Sequence, residues 1–144
     1  MIRSTVAQVD LGALQSNFLA IAEFLKTASI VDGTRPPHPS AGATLGTPPR
    51  APGIIAVVKA NAYGHGAPRV ALALQEAGAT MLACADIEEG IVLRNAGVTE
   101  EILVFGALGV SDLAGVFEYH LTPTISTPSA GRALNAAAGS RKKR

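Results

Sequence analysis

From Ile54 onward, short apolar runs alternate with longer segments whose apolar positions fit helical spacing. Ile54–Val58, Met81–Ala85 and Ile102–Phe105 are continuous or nearly continuous apolar stretches, as expected of parallel strands covered on both faces. Leu121–Ile125 completes the set, with Pro123 tolerable only at a sheet edge or bulge. Between the runs, Pro68 suits a first helical turn and Gly78 a helix stop. Asp86 is an N-cap with Glu89 three residues on, in the manner of a capping box, and Gly97 closes that helix. A third helix opens near Ser111. Thr127-Pro128 caps a fourth, which runs through Ala138. The pattern is βαβαβαβα with short loops, and right-handed crossovers would set the strands side by side in one parallel sheet.

The chain before Gly53 is patterned differently. Val6–Val9 reads as a strand, and Asp10 caps an amphipathic helix carrying Leu11, Leu14, Phe18, Ile21 and Leu25 at helical spacing. Residues 27–53 then hold Pro36, Pro37, Pro39, Pro48, Pro49 and Pro52, which is six of the nine prolines, and almost no periodicity. We read this segment as a long solvated loop, since surface insertions cost little. The organisation is therefore 1–26 strand and helix, 27–53 Pro/Gly-rich loop, 54–139 repeated βα units and 140–144 a basic tail. The tail, RKKR at its end, reads as a solvated charged run.

Composition narrows the function classes. With 144 residues the chain has room for one ordinary domain, short of the roughly 250 that a complete (β/α)₈ barrel takes. A 48% apolar, 16% charged composition describes a core-forming chain rather than a disordered one. A net charge of +1 makes no case for nucleic acid or a membrane surface. No apolar run approaches the length of a membrane span, and MIRSTVAQVD holds no apolar signal core. The single cysteine, Cys84, rules out an intrachain disulfide and reads as a small, inert core thiol.

The chemistry concentrates in Ala56–Ala67, AVVKANAYGHGA. The apolar run delivers Lys59 at its end, and a polar turn with Asn61, Tyr63, Gly64, His65 and Gly66 follows. A lysine at the C-terminal end of a buried strand stands where a Schiff-base nucleophile sits in an α/β barrel. The bland alternative is an ordinary lysine that snorkels from a strand end. Gly64 and Gly66 permit sharp turning and close backbone approach. His65 reads as a hydrogen-bonded loop histidine.

This stretch resembles the lysine signature of the alanine racemases, fold-type III pyridoxal-phosphate enzymes. Ala7–Asn17 (AQVDLGALQSN), Ala77–Arg94 (AGATMLACADIEEGIVLR), Glu101–Gly106 (EILVFG) and Leu121–Ser126 (LTPTIS) are similar to the family in the same order. The resemblance implies an α/β fold: a partial (β/α)₈ TIM-type barrel of about four βα units, with the C-terminal half and the β-domain absent. The family connects its first helix to the lysine strand more briefly, which makes 27–53 an insertion. The resemblance further implies that Lys59 holds pyridoxal 5′-phosphate as a Schiff base and exchanges a proton with Cα of the substrate. Tyr63 would bind the cofactor phosphate and Phe105 would lie beside its ring, where a leucine is commoner; simple barrel core is the other reading of Phe105. Also implied are interconversion of L- and D-alanine for peptidoglycan, a homodimer and the bacterial cytoplasm.

One half of the family's site has no match. Its second acid–base group is a tyrosine from the C-terminal domain, and the only other tyrosine here, Tyr119, stands in a different context. Arg94 and Arg132 do not occupy the family's arginine motifs. Two alternatives therefore stay open: a non-catalytic fragment that at most binds pyridoxal phosphate, or a related amino-acid (serine) racemase.

Overall fold

Four strands, β1 (Ile55–Val57), β2 (Met81–Cys84), β3 (Glu101–Val104) and β4 (Thr122–Pro123), form one parallel sheet in the order β1-β2-β3-β4. The computed structural model describes residues 6–31, 53–109 and 113–141. Helix α1 (Leu11–Val31) precedes the sheet, and α3 (Ala67–Glu76), α4 (Ile87–Asn95), α5 (Leu113–Glu118) and α6 (Pro128–Arg141) follow successive strands. A short turn, α2 (Lys59–Tyr63), separates β1 from α3. The result is an arc of a (β/α)-type barrel with four βα units.

Side chains alternate across a strand, and here the alternation sorts them cleanly. Ala56, Val58, Leu82, Cys84, Ile102 and Val104 enter a core shared with Val70, Ala71 and Leu74 of α3, Ile87 and Leu93 of α4 and Val116 of α5. The intervening positions are more open: Ile55 and Glu101 are exposed, and Val57, Met81 and Leu103 half-buried. Ala83, small and fully buried, is the exception. The helices therefore cover one face of the sheet, and the other is the inner face of the arc.

The helix signals act where the sequence places them. Asp10 Oδ1 accepts from the Ala13 N–H at 3.0 Å and Asp86 Oδ1 from the Glu89 N–H at 2.8 Å. Gly78 and Gly97 stop α3 and α4 at φ 97° and 98°. Thr127 Oγ1 accepts from the Ala130 N–H at the start of α6, which runs to Arg141, past the expected Ala138. Pro123 lies in β4, which among the described residues pairs with β3 alone, so the sheet needs no N–H from it.

Three expectations change. Val6–Val9 is not a strand: among the described residues no neighbour pairs with it, and Val6 stands 81% exposed. In α1, Leu11, Leu14 and Phe18 pack against the core, but Ile21 is exposed while Ala22 and Leu25 beside it are half-buried, so the covered stripe passes Ile21 by. The opening of the 27–53 loop is helical, since α1 continues to Val31. The remainder of that loop, the helix start near Ser111 and the last three residues of the tail lie outside the described residues.

At the N-terminal end of the sheet, Arg94 ties the loops together. Its guanidinium donates to the carbonyls of Tyr119, Val98, Glu100 and His120 at 2.7–2.9 Å. Burial lowers its pKa from the ordinary value, and nearby Glu100 works the other way.

Cys84 is fully buried at the end of β2 and donates to the Asp86 carbonyl at 3.2 Å. Burial first, then the charges of Glu89 and Asp86, pushes its thiol from 9.0 up to about 12. The unfolded chain therefore loses this proton first, and stability should fall as pH rises from 9.0 toward about 12. At pH 8 the folded chain is expected to react with a thiol reagent on the order of a hundredfold more slowly than the urea-unfolded chain. Equal rates would mean that β2 is not closed over by α4.

Candidate functional site

Lys59 leaves β1 two residues beyond its last paired position. The register pairs Val57 with Ala83 and Ala83 with Leu103, so Lys59 is level with Ala85 and Phe105 at the C-terminal end of the sheet. This is the end at which βα loops carry function in barrel proteins.

The chain then does something L-residues avoid. Ala60, Asn61, Ala62 and Tyr63 all take left-handed conformations, with φ between 51° and 54°. Such a conformation costs about 1–2 kcal/mol per residue other than glycine or asparagine, so Ala60, Ala62 and Tyr63 together carry roughly 3–6 kcal/mol of strain. Gly64 and Gly66 continue at φ 85° and 91°, where the missing Cβ removes that penalty. Strain of this size persists only where the surroundings over-determine it, and it clusters at functional sites.

The bonds that hold the turn are specific. Within it, Ala62 N–H donates to the Val58 carbonyl at 2.8 Å, Gly64 N–H to Ala60 at 3.0 Å and Gly66 N–H to Asn61 at 2.9 Å. Asn61 Oδ1 accepts from the Ala67 N–H at 2.8 Å, so the asparagine of the motif caps α3. His65 Nδ1 lies 2.9 Å from the Ala62 carbonyl, to which it must donate; that nitrogen therefore carries the proton. From outside the turn, Glu89 of α4 accepts from the Ala60 N–H at 2.6 Å.

The two side chains that the motif singles out stand outside this scaffold of bonds. Lys59 is exposed and Tyr63 is 60% exposed. Among the described residues, neither the Lys59 amine nor the Tyr63 hydroxyl has a hydrogen-bond or ion-pair partner. Phe105, 45% exposed, follows β3, and its N–H donates to Cys84 at 3.0 Å. One turn thus presents Lys59 and Tyr63, and the sheet register sets Phe105 at the same end, two strands away.

Tyr119, Arg94 and Arg132 are elsewhere. Tyr119 and Arg94 sit by the loops that enter β3 and β4, at the opposite end of the sheet, and Arg132 is exposed on α6. Sequence reasoning assigned Glu89 only a capping role; its side chain instead reaches Ala60 and Ala85. The signal was present in its spacing from Asp86, but the bond to Ala60 crosses 29 residues and no local pattern carries it.

The family model for the alanine racemase N-terminal domain matches residues 45–144. The chain belongs to the alanine racemase family. An alanine racemase from Symbiobacterium thermophilum is 36% identical over 134 residues, covering 93% of this chain and 29% of that relative. The chain thus spans less than a third of the relative's length. Among solved structures, the alanine racemase from E. faecalis superposes with a TM-score of 0.68 at 28% identity, covering 88% of this chain and 28% of that one. A histidine racemase from Leuconostoc mesenteroides superposes with a TM-score of 0.60 at 26% identity, covering 83% of this chain and 27% of that one. Among the described residues, no helix is long and apolar enough to cross a membrane.

Gly106 closes the end of β3 beside this site. Its N–H donates to the Ala85 carbonyl at 2.8 Å, and a Cβ built on it would lie 2.5 Å from that same oxygen. Gly106→Ala must therefore push β3 away from β2 at the level of Lys59. We expect it to lower stability by about 1–3 kcal/mol, as overpacking does, read as a lower urea midpoint. An unchanged midpoint would show that the strand ends separate freely.

Proposed function

We propose that this chain carries the cofactor-anchoring and first proton-transfer part of an alanine racemase, which interconverts L- and D-alanine and so supplies D-alanine for peptidoglycan. The observation that supports this best is the strained turn that presents an exposed lysine at the C-terminal end of β1. A homodimer and the bacterial cytoplasm go with this reading.

The residues present fit pyridoxal 5′-phosphate. That group needs a primary amine for its aldehyde, hydrogen-bond donors for its phosphate and an apolar surface for its ring. The Lys59 amine and the Tyr63 phenol, unpartnered among the described residues, and the half-open Phe105 ring match those needs in kind. When bound, the cofactor supplies an electron sink that lets the α-proton of an amino acid leave. Lys59 would hold the cofactor through its amine and, once substrate has taken its place, carry the proton to and from one face of Cα. Tyr63 would donate its hydroxyl hydrogen to a phosphate oxygen. Phe105 would pack against the ring and limit water on that side.

A second reading has its own support. Unbiased racemisation needs a proton-transfer group on each face of the carbanion. The other tyrosine, Tyr119, lies at the wrong end of the sheet. On that reading this chain binds pyridoxal phosphate without turning over substrate. The likeness to a histidine racemase also makes the side chain of the substrate, alanine against serine or another amino acid, a matter for assay.

Borohydride trapping of added pyridoxal phosphate, with the modified peptide located by mass spectrometry, tests the anchor. Label is expected on Lys59 in the wild-type chain and is lost in Lys59→Ala; label scattered over other lysines would sink the assignment. Tyr63→Phe should weaken cofactor binding by about 1.5 kcal/mol, roughly tenfold in Kd. Assays with L-alanine and L-serine then separate the readings. Lys59-dependent turnover supports racemisation by this chain, and trapping without turnover supports the binding-only reading.

A further inference from the structure

The Val58 carbonyl sets a problem for the sheet. In the β1–β2 ladder, Val58 N–H donates to the Ala83 carbonyl at 2.8 Å. The next rung of a parallel ladder would run from the Ala85 N–H back to the Val58 carbonyl. That carbonyl is instead taken by the Ala62 N–H, the first bond of the left-handed turn. Two amides beside Lys59 are thereby left without sheet partners: Ala60, the next residue in the chain, and Ala85, level with Lys59 on β2. Unpaired backbone donors in such a place are costly.

Glu89 takes both. Its Oε1 accepts from Ala60 N–H at 2.6 Å and its Oε2 from Ala85 N–H at 2.8 Å. Its own N–H is fixed by Asp86 Oδ1 at 2.8 Å in the first turn of α4, so the side chain leaves from a capped helix end. The capping box suggested by the sequence is thus redirected: Glu89 spans β1 and β2 in place of the missing rung. A carboxylate suits this task because it offers two acceptor oxygens and no donor. A glutamine would turn its NH₂ toward one of two N–H groups and satisfy only the other. Bound this way, the carboxylate forms no ion pair with Lys59 among the described residues.

We propose that Glu89 is the positioning residue for Lys59, pinning the strained turn to the end of β2 through both carboxylate oxygens. This rests on the reading of Lys59 as the cofactor anchor. Glu89 itself touches neither cofactor nor substrate on this view; it acts through the backbone on either side of the lysine.

The test uses the full chain and Glu89→Gln, with Val98→Ala as a control that lowers stability from the far end of the sheet. Amide hydrogen exchange is measured first and needs no cofactor. Faster exchange at Ala60 and Ala85, with Leu82 and Ile102 unchanged, is expected; unchanged exchange at Ala60 and Ala85 overturns the pin. Pyridoxal phosphate is then titrated and its attachment to residue 59 trapped with borohydride. Glu89→Gln should bind roughly tenfold more weakly than a control of equal urea midpoint, the loss of one charge-assisted bond at the site. A loss no greater than in Val98→Ala means a merely structural role and overturns the positioning. Should Glu89→Gln fail to fold, Glu89→Asp, which keeps the charge but is too short to span both amides, takes the same measurements with the same expected outcomes. A wild-type chain that does not label Lys59 sinks the reading of Lys59 itself, and the exchange result still decides whether Glu89 pins the turn.

Discussion

One carbonyl, that of Val58, decides how the sheet meets its candidate site. Had it stayed in the ladder, β1 would have run on and Lys59 would have been one more strand residue. Turning inward to the Ala62 N–H ends the strand at once and starts a coil of the opposite hand. The rest of that corner answers to this choice. Asn61 turns back to cap α3, His65 braces the coil at Ala62, and a carboxylate from α4 takes the stranded amides. A turn carrying several kcal/mol of strain is thus held by bonds from two other elements.

The two ends of the sheet divide the work. At the N-terminal end, one arginine gathers four carbonyls and fixes the loops that enter β3 and β4. Four of the guanidinium's five N–H donors are committed to that bracing. At the C-terminal end, the charged group that does the gathering is an anion drawn to N–H groups, and among the described residues the Lys59 amine and the Tyr63 phenol have no partner. Bracing is concentrated at one end and the candidate site lies at the other, the division that barrel enzymes generally show.

Much of this was legible in the sequence because its signals are local. Apolar runs placed the four strands, Asp10, Asp86 and Thr127 marked helix starts, and Gly78 and Gly97 marked helix ends. The lysine motif pointed to the turn after β1, which the structure finds held in a left-handed conformation. Val6–Val9 misled because a short segment with a valine at each end looks like a strand whether or not a neighbour pairs with it. The left-handed turn was hidden for a different reason: alanine and tyrosine carry no propensity for it, so only the contacts that impose it reveal it. Glu89 was seen as a cap because its spacing from Asp86 is local, while its partner Ala60 is brought near only by the parallel pairing of β1 with β2.

The hand of that turn has a chemical corollary. A backbone at φ 51°, ψ 50° is the resting conformation of a D-amino acid, the mirror image of an ordinary helical residue. Ala60 holds it with an exposed methyl group and a backbone committed to Glu89 and Gly64. A semisynthetic chain with D-alanine at this one position would keep those bonds while shedding the local strain. The polypeptide beside the lysine is thus an L-chain folded into the shape that D-residues prefer.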